Sequence, residues 1–258
     1  ITTRLVGSEM CIRDSYFQPG DAYLGGDFFF PSSGKPDCVS FLEKLKMPMR
    51  EVIVRHLLVS AQIFLAGGKV SNCLFHPSVR VAVHEKIEGD IQKELKWCTE
   101  NLDVELKNKF SGQYVDMNPA RSQRFSLEDL YEKVKEILHG NQFKVLVMNG
   151  KNDVESSDYE AGCNFVVGGN TLGRGVTFPG LQTIYYTRTS KKPQADTMWQ
   201  HSRMFGYDRD PGMMKVYIDE NLYKLFADIN ATNNSIIAQV EKGLSLIHIS
   251  EPTRRVVI

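Results

Sequence analysis

Two short stretches carry the residue types best suited to handling phosphate. The first, FVVGGNTLGRGVTFPG at 165–180, closes an apolar run with two glycines and then sets Arg174 between Gly173 and Gly175. Glycines let a backbone approach a ligand closely, and a guanidinium offers a planar fork of donors to phosphate oxygens. Gly168 and Gly173 stand at the spacing that opens a P-loop, yet Arg174-Gly175 follows where Lys-Ser or Lys-Thr is required. The stretch is not a P-loop. Two readings stay open: a glycine-rich turn with a solvated arginine, and one wall of a nucleotide cleft. The second stretch, DTMWQHSRMFGYDRD at 196–210, places Gln200 and Arg203 three apart, on one face of an expected helix. Arg203 and Arg209 stand either side of a Phe-Gly-Tyr corner. Its competing reading is an amphipathic helix with Met198, Trp199, Met204 and Phe205 in the core and its arginines in surface pairs. A lesser match, SSGKP at 32–36, lacks the upstream glycine and has proline after its lysine, so it is set aside.

The elements that must position these residues alternate between helix and strand. From Met49 a mostly apolar helix runs to Gly67-Gly68. A buried-type strand is expected at Asn72 to His76 and an amphipathic helix at Val79 to Cys98. A polar stretch carrying Pro119 follows. The next helix spans Ser126 to Leu138, with Ser126 and Asp129 at capping-box spacing. Strands are expected at Phe143 to Asn149, at Asn164 to Gly169 and in TIYYTRT at 183–189. A helix at Ala195 to Phe205, the strand MKVYID and a helix from Asn221 complete the series. Short apolar strands interleaved with helices imply an α/β fold with a mostly parallel sheet covered on both faces. Ligands of such sheets gather beyond the carboxyl ends of the strands, where Gly168 to Thr177 is expected. Residues 16–48, rich in Gly, Pro and Phe, read as a linker or the remnant of a preceding domain.

The totals exclude some classes. Lys+Arg and Asp+Glu balance at 31 each over 258 residues, so no global field draws nucleic acid or an anionic membrane, and any basic patch is local. No apolar run is long enough for a bilayer, and no signal peptide is evident. Five cysteines without a CxxC pair imply reduced thiols in a cytoplasmic protein. His84 and His139 fall on helices without carboxylate or cysteine partners at ligand spacing, so no metal site is expected. Both ends look foreign. LVGSEMCIRDS (Leu5 to Ser15) and LSLIHISEPTR (Leu244 to Arg254) are encoded by opposite strands of one DNA string, and they resemble a translated sequencing-library adapter. Residues 1–15 and 244–258 are therefore set aside as adapter artefact, and the natural protein is expected to continue beyond both ends.

The order of segments resembles the second, RecA-like lobe of superfamily-two helicases. Asn170-Thr171-Leu172-Gly173-Arg174-Gly175-Val176-Thr177 is similar to motif V, Gln200-His201-Ser202-Arg203-Met204-Phe205-Gly206 to motif VI, and NCLFHPS to motif IV. The wording is closer still to the Z1 domain, a family labelled as an endonuclease domain in prokaryotic and phage helicase-like proteins. GGNTLGRGVTFPGL and Asp196 to Tyr207 resemble that family's two core motifs, and YLGGDFFF and HPSVRVAVHEKI resemble further segments. The resemblance covers about residues 20–240.

The resemblance implies a RecA-like C-terminal lobe over 49–220, the start of a truncated helical extension over 221–243, and ATP with Mg bound mainly by a missing first lobe. Arg203 becomes the arginine-finger candidate. Gly206 stands where the second helicase arginine would fall, and Arg209 is its candidate substitute. Gln200 would position the nucleotide or couple it to nucleic acid. Gly173, Gly175 and Thr177 would line the cleft, while Arg174 would either join them or lock the loop through backbone carbonyls. Nucleic acid, expected to be DNA, would cross the carboxyl-end face past Asn170 and Thr171. His76, Ser78 and Arg80 there suit phosphate contact at a helix N-terminus, or form a capped helix start with Pro77 in its first turn. The function implied is an ATPase or helicase-like role in a restriction or defence system. Alternatives are an endonuclease, for which no carboxylate cluster is evident, and a non-catalytic α/β interaction module.

Overall fold

A computed structural model describes residues 17–42, 49–78, 80–102, 104–149, 154–169, 176–188 and 203–242. Its six strands are β1 (Val39–Phe41), β2 (Val70–His76), β3 (Phe143–Met148), β4 (Gly162–Gly168), β5 (Leu181–Tyr186) and β6 (Lys215–Ile218). They form one sheet in the order β1-β6-β5-β2-β4-β3, and every pairing is parallel. The described helices are α1 (Gly26–Phe29), α2 (Met49–Leu65), α3 (Val81–Glu100), α4 (Val104–Val115), α5 (Leu127–His139) and α6 (Glu220–Glu241). The expected α/β class holds, with a RecA-like arrangement of parallel strands between two layers.

Alternation along the strands decides which layer each side chain serves. Cys73, Phe75, Cys163, Phe165 and Val167 pack against α2, α3, α4 and α5. Leu74, Val166, Ile184, Tyr186, Val216 and Ile218 face the other way, against α1 and α6. Both faces being covered, the central strands β2 and β4 are buried along nearly their whole length rather than at alternate residues. Buried amides within them hydrogen-bond through their Nδ2 groups. Asn164 Nδ2 donates to Asn72 Oδ1 at 3.0 Å, and Asn72 Nδ2 donates to the carbonyls of Tyr159 (2.9 Å) and Pro179 (2.6 Å). At the start of α5 the Ser126 hydroxyl accepts from the Asp129 N–H at 3.1 Å, as its spacing predicts.

Three expectations need correction. The stretch 16–48, read as a linker or the remnant of a preceding domain, carries α1 and β1, and β1 joins the sheet edge through Val39, Ser40 and Phe41 beside β6. Phe29 and Phe30 from the same stretch are buried in the core. Helix α4 lies inside the polar stretch before Pro119, where no helix was expected. It buries Leu106 and Phe110 but is otherwise dominated by polar residues, so its helical period is faint. The helix expected at Ala195 to Phe205 falls largely outside the described residues, and Arg203, Met204 and Phe205 are not helical. Among the described residues, no helix is long and apolar enough to cross a membrane.

Candidate functional site

Arg203 enters the site with an unusual backbone. Its φ is +52°, a left-handed geometry that costs an ordinary L-residue about 1–2 kcal/mol. The contacts that hold it there come from Arg209. Arg209 Nη2 donates to the Arg203 carbonyl at 3.1 Å, and its Nε to the Met204 carbonyl at 3.3 Å. Nη1 donates to the Phe178 carbonyl at 3.4 Å and to the Asp208 carboxylate. Arg209 is 4% exposed. Burial pulls its guanidinium below the ordinary arginine range, and the adjacent Asp208 carboxylate opposes this. Arg209 is thus a buried tie between two loops, and its N–H groups are directed at protein acceptors.

The loop beneath is anchored at the amino end of β5. Asp208 Oδ2 accepts from the Gly180 N–H at 2.9 Å. Gln182 Nε2 donates to the Asp208 carbonyl at 3.1 Å, and its Oε1 accepts from the Asp210 N–H at 3.0 Å. The buried Asp210 carboxylate accepts from the backbone N–H groups of Ala120 (3.0 Å), Arg121 (2.9 Å) and Gly212 (2.9 Å). Multiple N–H donors keep a buried carboxylate satisfied, so Asp210 fixes the corner rather than holding a ligand.

This anchoring brings three of the expected site residues together. Thr177, Arg203 and Arg209 line one hollow of about 240 Å³, with Tyr23, Val176, Phe178 and Phe205. Thr177 is exposed; Arg203 is half-buried, and burial pulls its guanidinium down from the ordinary range. A partly desolvated guanidinium attracts an anion more strongly than a solvated one. Thr177 stands four residues before β5 begins, on the return from the carboxyl end of β4. The expected position beyond the carboxyl ends therefore suits Gly168 and Gly169, whereas Thr177 has already turned back. Asn170, Thr171, Gly173, Arg174, Gly175 and Gln200 lie outside the described residues.

The carboxyl-end cluster differs from its expectation. His76 is fully buried. Its Nε2 stands 3.2 Å from the Gly169 carbonyl and 3.4 Å from Arg188 Nη1, and its ring packs edge-on against Tyr186. A ring closed off in this way braces the ends of β2, β4 and β5 and does not reach a phosphate. His84 is likewise buried, with Nε2 at 2.6 Å from the Ser78 carbonyl. Pro77 is not in the first turn of α3, because the N-cap is Arg80, which makes no side-chain capping bond. Ser78 and Arg80 remain accessible, half-buried and exposed respectively.

Such a sheet, with a glycine pair after β4 and an arginine-bearing Phe-Gly-Tyr corner ahead of β6, is what the Z1 resemblance implies. The Z1 domain family model matches residues 50–249. This chain belongs to the Z1 domain family. No curated protein and no solved structure matches it. The two motifs that carry the Z1 resemblance thus meet, in part, at the hollow of Thr177 and Arg203. Tyr23 lies outside the matched Z1 region, and nothing in its local sequence marks it as a partner of Arg203. Its signal is the family-like segment YLGGDFFF in which it stands.

Proposed function

We propose that this Z1 domain is the arginine-bearing half of an ATP-hydrolysing site, the second lobe of a nucleic-acid-dependent helicase or translocase of the restriction or defence type. The observation that carries the reading is Arg203. It is held in left-handed backbone geometry by the buried Arg209 and lines the same hollow as Thr177. A guanidinium carried on a backbone that is set before the substrate arrives suits stabilisation of charge on a transferring phosphoryl group. A separate lobe supplies the P-loop and the acidic residues that hold ATP and Mg. Arg203 acts as the finger, Arg209 sets its backbone, Thr177 lines the hollow, and Gly173, Arg174 and Gly175 are assigned nucleotide contact from the sequence resemblance alone. Gln200 couples the nucleotide to DNA crossing near Ser78 and Arg80.

The chain alone then hydrolyses no ATP. Joined to its P-loop lobe, it turns over ATP in a manner stimulated by DNA. Arg203→Ala in that two-lobe protein leaves nucleotide binding within a few-fold and slows turnover by about 10³-fold. Steady-state ATPase assays beside equilibrium binding check this, and unchanged turnover rejects the finger role. A metal-dependent cleavage assay on the same protein, with and without the P-loop lysine, tests the endonuclease alternative.

A further inference from the structure

The hollow around Arg203 has a neighbour. A second hollow, of about 350 Å³, shares Tyr23 and Phe205 with it. The second is lined by Phe28 and by the amides of Asn230, Asn233 and Asn234 on α6. Its size falls within the range of small-molecule pockets, about 300–1,000 Å³. Its chemistry differs from that of the first: aromatic rings, asparagines and Asp27 in one, the Arg203 guanidinium in the other. A ligand that is flat and hydrogen-bonding at one end and anionic at the other matches the pair, and that is the description of a nucleotide.

The rim that the two hollows share, at Tyr23 and Phe205, is held by local contacts. Leu24 and Gly206 form an antiparallel bridge, with N–H to carbonyl distances of 3.0 and 3.2 Å. Arg121 clamps both sides of it, donating to the Tyr207 carbonyl at 2.5 Å and the Ala22 carbonyl at 3.1 Å. The Tyr23 ring leans on the Tyr207 ring at 5.0 Å. A Cβ at Gly25 would stand 3.0 Å from Tyr23 Cε1, so only a glycine leaves that ring undisturbed. On the amide side, Asn230 and Asn234 both donate to Asp27 Oδ1, at 2.7 and 2.6 Å. Asn233 is exposed in the same wall, and an asparagine amide can pair with a donor and an acceptor on one base edge.

We infer that the two hollows form one nucleotide groove, with the base held between Tyr23, Phe205 and Asn233 and the phosphate end at Arg203. This deepens the proposed function and rests on it for the role of Arg203. It assigns base recognition to Tyr23, which precedes the matched Z1 region, together with Phe205 and Asn233 inside it, so the arginine-bearing lobe itself selects a nucleoside.

The test is equilibrium binding of Mg-free ATP, and separately of tripolyphosphate, to the chain as it stands. The wild type binds ATP at least about tenfold tighter than tripolyphosphate, the advantage a stacked base confers. Tyr23→Ala and Asn233→Ala remove most of that advantage and leave tripolyphosphate binding unchanged, whereas Arg203→Ala weakens both ligands. Asn233 is exposed on α6, so its variant decides the matter should Tyr23→Ala misfold. Equal affinity for the two ligands, no binding of ATP, or an ATP advantage that survives Asn233→Ala overturns the groove. None of those results touches the finger role, which is read from turnover in the two-lobe protein. Conversely, unchanged turnover in Arg203→Ala with the ATP advantage intact rejects the finger and keeps the groove.

Discussion

A guanidinium is costly to desolvate, and the two arginines at the hollow meet that cost differently. Arg209 is surrounded by carbonyls and one carboxylate, so its charge is consumed inside the protein. Arg203 is half-buried and lines a space open to a ligand. Another buried base has a plainer fate. His56 on α2 is fully enclosed, with its ring edge-on to Phe165 at 4.8 Å. Burial pulls its pKa down to about 3, only partly offset by the Asn164 backbone. In an unfolded chain the same imidazole titrates near about 6.5. The folded protein therefore refuses a proton that the unfolded chain accepts between those two values. Stability from this residue is complete above about pH 6.5 and falls by about 1.4 kcal/mol for each pH unit below it. Urea unfolding of the wild type and His56→Leu at pH 7.0, 5.5 and 4.5 checks this. The wild type loses more stability on acidification than the variant. Parallel pH dependences exclude His56 as a contributor.

Elements show their dependence on context most clearly where two loops touch. Asn118, just past α4, donates its N–H to the Gly212 carbonyl at 3.0 Å. A Cβ at Gly212 would overlap the Asn118 carbonyl oxygen, a backbone atom with little room to yield. Gly212→Ala forces these loops apart and strips Asp210 of its N–H donors, at a cost of about 3 kcal/mol. Gly112, inside α4, has open space around its own missing Cβ, and Gly112→Ala gains about 0.5–1 kcal/mol in helix propensity. Thermal or urea unfolding reads the opposite signs, and a neutral Gly212→Ala refutes the close-contact argument. The same contrast explains what was legible in the sequence. Strands β2, β3 and β4 were readable because each holds a short apolar run (Cys73 to Phe75, Val145 to Met148, Phe165 to Val167), and α5 because Ser126 caps it. Strand β1 is three residues long and becomes a strand only by pairing with β6. Helix α4 carries too few apolar residues to announce its face. At the site, the wording around Thr177, Arg203 and Arg209 was informative. The left-handed turn at Arg203 was not, because it is imposed by a hydrogen bond from Arg209. Tyr23 was invisible as a site residue because its contact with the corner at 205–207 is made across most of the chain.

At the scale of the whole molecule, the family match and the folded unit have different limits. The match begins at residue 50, yet β1 belongs to the same sheet, α1 packs into the same core, and Leu24 is tied to Gly206 by an isolated bridge. Phe29 packs edge-on against Phe205, and Phe30 stacks on Phe226 of α6 at 5.2 Å. A chain cut to begin at Met49 keeps the whole matched region but loses Phe29 and Phe30. It also leaves β6 with no neighbour on one side, and a bare row of N–H and C=O groups is a template for another molecule. Size-exclusion chromatography of that shortened chain shows association or precipitation at concentrations where the longer chain stays dispersed. A shortened chain that remains monomeric with unchanged melting assigns β1 no protective role. The three residues of β1 thus act as a cap against strand-to-strand association between molecules.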